Sequence, residues 1–312
     1  MFRILGPLRA DVRQGPVALG GGRARLVLAA LLLDPGRTVP VDRLVETVWD
    51  GEPPASARTR IAIAVSGLRR AFRDAGCTHR VIETVEPGYR IPADAGTVDA
   101  LVADRRIGQA RAAVRAGRHR EAAERYRSAL SLWDGPVLAG LDRGLIVAGA
   151  LRWEELRLTA LEEAAEVELR LGRHHRLIDD LRGPVAEHPF RERMRALLMV
   201  ALARSGRQSE ALEIYRAGHR ILTRELGVEP GRELRALHEA ILRDEVTELP
   251  GFPVHDDRTA PAAGPAPVQS RKPRERRTRG RCCAGAVPRT RTQRWRGRRD
   301  GPGPGRFRST DH

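Results

Sequence analysis

Residues 57–73 admit few conformations other than a two-faced helix. At about 100° per residue, Ile61, Val65, Leu68 and Phe72 line up on one side. Thr59, Ile63, Ser66 and Arg70 fall on the opposite side, with Arg60, Gly67 and Arg73 beside them. The first set has to be buried in a core. The second set is polar and arginine-rich, apart from one isoleucine that gains nothing from exposure. A helix divided in this way can be anchored on one side and still enter a wide polar cleft. The major groove of B-form DNA is such a cleft. An arginine fork suits guanine O6 and N7, hydroxyls suit base edges or phosphates, and an apolar side chain suits the thymine methyl. Thr59, Arg60, Ile63, Ser66, Arg70 and Arg73 are therefore the candidate DNA-contacting residues of this segment.

The flanking sequence supplies a frame for such a helix. Phe2–Leu5, Leu8–Val12 and Val17–Leu19 read as short strands separated by Gly6-Pro7 and Gln14-Gly15-Pro16. Arg23–Leu33 reads as a strongly apolar helix that stops at Asp34-Pro35-Gly36. Val41–Trp49 reads as a second helix, with Asp42 placed to favour its N-terminal dipole and Trp49 expected in the core. Pro53-Pro54 breaks the chain, and Ser56 is expected to cap the third helix. Val81–Val85 and Tyr89–Pro92, joined by Glu86-Pro87-Gly88, form a hairpin. Strands, three helices and a hairpin are the order of a winged helix. In its hairpin Tyr89 and Arg90 are candidates for a phosphate or the minor groove. Arg80, Arg23 and Arg25 are candidates for positioning alone, because phosphate contacts carry no sequence information directly.

Beyond residue 97 the periodicity becomes continuously helical up to about residue 245. Three segments resemble one another, beginning at Gly117-Arg118-His119, Gly172-Arg173-His174 and Gly206-Arg207-Gln208. Gly206 lies 34 residues beyond Gly172, the tetratricopeptide period, whereas 55 residues separate Gly117 from Gly172, so a further element intervenes. Each glycine is expected to end one helix and let the next fold back. Tyr126 and Tyr215 are expected to fill grooves between helices. The acidic pairs Glu154-Glu155 and Glu162-Glu163 are expected to be paired within their own helix, with Arg152 and Arg157. The fold class is thus mainly α: an N-terminal winged helix-turn-helix of α+β type over residues 1–95, then an all-α tetratricopeptide-like domain over 97–245.

The remaining segment, 246–312, is Pro- and Gly-rich and then Arg-rich. Of the formal net charge of +16, residues 1–98 carry about +4, residues 99–245 about +2 and residues 246–312 about +10. The basicity is therefore mostly a property of this tail and does not by itself make the rest a nucleic-acid binder. The tail cannot bury enough apolar surface to offset chain entropy and reads as disordered, or as the product of a shifted reading frame in G+C-rich DNA.

Several functions are excluded by what is missing. The single lysine, Lys272, is followed by Pro273, so there is no phosphate-binding loop and no Schiff-base lysine in the folded part. Cys77, Cys282 and Cys283 lack metal-ligand spacing and suit a reducing cytoplasm. Adjacent His174 and His175 diverge too far on a helix to share a metal easily. The longest apolar run, Leu26–Leu33, is too short to span a bilayer, and Met1–Pro7 shows no signal-peptide core. A soluble cytoplasmic protein with no catalytic residues, no cofactor and no metal is expected.

The span from Phe2-Arg-Ile-Leu-Gly-Pro-Leu8 to Glu239-Ala-Ile-Leu242 resembles the Streptomyces antibiotic regulatory protein family. The marks are Val41-Asp-Arg-Leu-Val45 with Trp49, Pro53-Pro54, Val65-Ser66 with Leu68-Arg-Arg-Ala71, and Gly88-Tyr-Arg90. Further along are Leu132-Trp-Asp-Gly-Pro136, His188-Pro-Phe-Arg-Glu-Arg193 and Glu225-Leu-Gly-Val-Glu-Pro-Gly231. Members of that family join an OmpR-type winged helix to a bacterial transcriptional activation domain. The resemblance implies binding to direct repeats in double-stranded DNA near promoters, recruitment of RNA polymerase, and regulation of secondary-metabolite gene clusters. The helical domain is expected to make homodimer or polymerase contacts. Two positions depart from the family: Gly67 stands where a basic residue is usual, and Thr59 where Asn is frequent. Nothing resembles the ATPase module of the large members. Two rival readings are a tetratricopeptide adaptor with a vestigial winged helix and a non-specific binder driven by the tail.

Overall fold

A computed structural model describes residues 1–49, 51–92 and 98–245, which belong to one compact unit. The expectations for 246–312, including the disordered tail, Lys272, Cys282 and Cys283, and for the join near residue 96, lie outside the described residues.

The N-terminal half opens with three antiparallel strands, β1 (Phe2–Arg3), β2 (Arg9–Val12) and β3 (Gly15–Pro16). They are shorter than the sequence suggested: the Val17 N–H still donates to the Ala10 carbonyl of β2 at 2.8 Å, but no strand runs through Val17–Leu19. Three helices follow: α1 (Gly22–Leu33), α2 (Val41–Trp49) and α3 (Ala57–Asp74). Seven of the last eight residues of α1 are buried, so it carries no polar face and forms the centre of the layer. A second sheet joins β4 (Val39–Pro40), β6 (Gly88–Arg90) and β5 (Glu83–Val85) in that spatial order. The β4–β6 register sets Pro40 opposite Gly88, and a Cβ on Gly88 would lie against the Val39 carbonyl. Only glycine lets these strands meet.

The second half is helical: α4 (Asp99–Arg115), α5 (His119–Leu130), α6 (Gly144–Arg170), α7 (His174–Glu187), α8 (Glu192–Arg204) and α9 (Gln208–Ile221). A π-helical turn over Leu222–Leu226 and α10 (Arg232–Leu242) complete the described residues. Gly117, Gly172 and Gly206 have φ of 71°, 71° and 74°, the left-handed conformation that reverses the chain at α4/α5, α6/α7 and α8/α9. The long α6 and the loop before it account for the irregular first interval.

The winged helix and the helical array share one apolar core, which runs from Phe2 and Ile4 through α1–α3 to Ile146, Ala150 and Trp153 of α6. Two smaller cores lie farther along. One holds Ala160 and Val167 of α6 with α4 and α5; the other holds Ala165 and Leu169 of α6 with α7–α10. The chain between β1 and β2 is clamped by the array. The Asp99 carboxylate accepts the backbone N–H of Ile4 at 2.9 Å and of Leu5 at 3.1 Å. The carbonyls of Ile4 and Leu5 accept the N–H groups of Leu138 and Asp134 at 2.9 and 2.7 Å.

The two tyrosines differ. Tyr126 is buried and its hydroxyl donates to Glu163 at 3.1 Å. Tyr215 is half-buried and stacks on His238 with ring centroids 3.9 Å apart. The acidic pairs of α6 also depart from expectation. Arg157–Glu154 is a pair within the helix at 3.9 Å, but Glu163 is held by Arg111 at 2.9 Å, and Glu155 and Glu162 both bind Arg191, at 2.8 and 3.0 Å. These carboxylates fasten helices to one another: Glu162 is buried and Glu163 partly so, while Glu155 meets Arg191 at the exposed rim.

Candidate nucleic-acid interface

Helix α3 exists because its apolar residues recur at helical spacing and meet α1 and α2. Ile61, Val65 and Leu68 are each 1% exposed, and Phe72, in edge-to-face contact with Phe2, is buried beside them. Turned the other way, Thr59, Ser66 and Arg70 are exposed and Ile63 is 65% exposed. Arg60, Gly67 and Arg73 are exposed as well. The six α3 candidates thus lie on one continuous solvent-facing strip. Arg70 forms only a loose pair with Asp74, 3.7 Å apart, and its side chain is 78% exposed.

Contacts at both ends tie α3 to its neighbours, those of Arg69 more firmly than the exposed ion pair at its start. At its start, Arg58 pairs with Asp42 in the first turn of α2 at 2.5 Å. Near its end, Arg69 donates to the Ile82 carbonyl at 3.0 Å and to the Thr84 hydroxyl at 2.8 Å. The same guanidinium lies over the Tyr89 ring at 5.8 Å, so one arginine ties the helix to the hairpin. Sequence reasoning missed Arg69; its position on the edge of the apolar stripe, four residues after Val65, was the available signal. It also assigned Ser56 a capping hydrogen bond. Ser56 does precede the helix but makes no side-chain cap, and its hydroxyl accepts from Arg60 Nε at 3.0 Å instead.

The hairpin candidates are arranged differently from those on α3. Tyr89 is half-buried beneath Arg69. Arg90 reaches across the strands to Glu83, Nε to Oε2 2.7 Å. Arg80 is exposed. Arg23 lies exposed at the start of α1, with its guanidinium 5.9 Å from the Trp49 ring. Trp49 itself is only partly buried against the core, less enclosed than expected. Gly67 faces open space: a Cβ there would meet nothing within 4 Å. The position tolerates a long side chain sterically even though this chain carries none.

Among the described residues, no three His, Cys, Asp or Glu side chains gather where a metal ion could be held. The rings of His174 and His175 sit 4.6 Å apart, and burial pushes the imidazole of His174 below its ordinary value, with His175 adding to the effect. No described helix is long and apolar enough to cross a membrane.

Two family descriptions match the chain in tandem: "Transcriptional regulatory protein, C terminal" over residues 16–91 and "Bacterial transcriptional activator domain" over residues 98–242. The regulatory protein DnrI of Streptomyces peucetius is 38% identical over 252 residues, covering 78% of this chain and 92% of the relative. The regulatory protein AfsR of Streptomyces coelicolor is 39% identical over 243 residues; the match covers 78% of this chain but only 24% of that longer protein. A solved structure, Mycobacterium tuberculosis EmbR in complex with a low-affinity phosphopeptide, is 36% identical with a TM-score of 0.73, covering 78% of this chain and 64% of that one. Both matched descriptions are those of transcriptional regulators. With an OmpR-type winged helix followed by an all-α activation domain, matched in that order along its length, the chain belongs to the Streptomyces antibiotic regulatory protein family.

Proposed function

We propose that the chain is a cytoplasmic, sequence-specific DNA-binding activator of a secondary-metabolite gene cluster. It reads direct repeats near promoters with α3 and contacts RNA polymerase through its helical array, which also carries homodimer contacts. The division of labour follows the domains: residues 1–95 bind DNA, and residues 97–245 activate. Arg70 takes a guanine edge, Ile63 a thymine methyl, and Thr59 and Ser66 base edges or phosphate. Arg60 and Arg73 flank the groove. Tyr89 and Arg90 serve the hairpin side, where Arg90 exchanges Glu83 for a phosphate at small cost, because partly exposed ion pairs contribute little.

The observation that supports this reading is the contrast across α3. Residues 1% exposed on one side stand opposite Ile63 at 65% and an Arg70 side chain at 78%. Dry anchoring and a free arginine-bearing strip are what a groove-entering helix requires. The test is a gel shift with the chain's own upstream region against a scrambled duplex of equal length and composition. Preference for the upstream duplex is the expected result. Equal affinity for both removes the reading and leaves the adaptor or tail-driven alternatives.

A further inference from the structure

A groove of about 790 Å³ opens along one edge of α3. Arg60 and Ile63 of α3 line one wall, and Arg23 of α1 and Trp49 of α2 line another. A third side comes from outside the winged helix: Arg143, the residue that leads into α6. All three arginines are exposed, and among the described residues no acidic side chain lines the groove. Arg23 is engaged with an indole ring and Arg60 with a hydroxyl, neither of which neutralises a charge. Three guanidinium groups around one apolar-floored depression make a focused positive field that favours an anion.

We propose that this groove seats the sugar-phosphate backbone of DNA, and that Arg143 is a phosphate contact contributed by the helical array. The inference rests on the DNA-binding reading above. Its occupant follows from continuity, since Arg60 and Ile63 belong both to the groove and to the outward strip of α3. A duplex that admits α3 has a phosphate ridge on each side of its major groove, about 12 Å apart. The ridge on the Arg60 side passes over this depression. Trp49 offers apolar surface to deoxyribose, while Ile63 at the rim stays turned to the bases, and guanidinium forks match phosphate oxygens. Arg143 then positions the protein without reading sequence, and the footprint of the second domain on DNA is set by one side chain.

The experiment measures fluorescence anisotropy of the full chain on the upstream duplex and on a scrambled duplex across a salt series. Arg143→Ala is expected to weaken binding several-fold on both duplexes alike. It should also reduce the slope of log affinity against log salt by about 0.9. Arg143→Lys should keep the wild-type slope. Arg220→Ala, exposed on α9 and outside the groove, controls for the loss of one positive charge. A thermal melt accompanies each variant, and Arg143→Gln substitutes for Ala should the latter fail to fold. If Arg143→Ala behaves like Arg220→Ala while the wild type still prefers the upstream duplex, the proposal is overturned and the DNA reading stands. If the wild type shows no preference, both fall together. An unchanged slope combined with lost activation in a reconstituted polymerase assay assigns the groove to a protein and overturns the DNA contact.

Discussion

The carboxylate of Asp99 accepts the backbone N–H of Ile4, its partner 95 residues away in sequence. The same carboxylate takes the amides of Leu5 and Ala100 and is 3% exposed. Replacing it with Ala strands buried donors from β1's end, so Asp99→Ala should cost on the order of 2–4 kcal/mol, as expected for several unmet amides. Asp99→Asn keeps an acceptor and should cost less than half as much. Urea unfolding of the variants checks the order.

The same site predicts a pH dependence. Burial pushes the Asp99 carboxyl above its ordinary value of 3.8, more strongly than the amides of Ile4, Leu5 and Ala100 pull it down. Between that value and the raised one the folded chain therefore holds more protons than the unfolded chain. Its contribution to stability is complete below 3.8 and is lost as pH rises through the raised value. The stability difference between wild type and Asp99→Asn should accordingly drift against the wild type as pH rises through the acid range. A difference that stays flat across that range contradicts the assignment.

Arg70 has little to give up in order to reach a base, since its pair with Asp74 is 3.7 Å long and well exposed. Arg70→Ala should lower discrimination between a true and a scrambled site by about 1–3 kcal/mol while leaving stability within about 0.5 kcal/mol. Competition gel shifts distinguish the outcomes. A loss equal on every sequence would make Arg70 a phosphate contact instead.

Gly67 is helical, exposed and unobstructed. Gly67→Ala should stabilise the protein by about 1 kcal/mol, read as a higher melting temperature, through helix propensity alone. Gly67→Arg should add affinity for DNA with a steeper salt dependence. Stabilisation without any change in binding would mean that the strip of α3 does not face phosphate at this point.

Arg191 holds Glu155 and Glu162 together, and the Glu162 side chain is 7% exposed. Arg191→Ala leaves a buried carboxylate without its cation and should cost about 3–5 kcal/mol, whereas the double variant Arg191→Met with Glu162→Leu should lie much nearer to wild type. Chemical denaturation of the single and double variants decides whether the loss comes from the stranded charge.

The legible parts of this fold were those written locally. The stripe Ile61, Val65, Leu68 and Phe72 lies within one helix, and Gly117, Gly172 and Gly206 mark their own turns, so periodicity and backbone freedom were enough. Partners remote in sequence were not legible. Nothing near Asp99 points to Ile4, and nothing near Glu162 selects Arg191 over the closer Arg157. Ser56 was misread because an arginine one turn on competes for its hydroxyl. On the candidate surface the burial of α3 was predictable residue by residue, but the withdrawal of Tyr89 and Arg90 into contacts with Arg69 and Glu83 depended on the hairpin's exact placement.

Helix α6 contributes side chains to every one of the three cores. At 27 residues it is a rod of about 40 Å. Such a spine leaves no swivel between the winged helix and the array. Once α3 is seated, the azimuth of the array about the double-helical axis is decided. Lengthening the spacer between two sites by about half of a 10.5-base-pair turn would swing neighbouring copies to opposite sides of the duplex, and a full turn would bring them back into line.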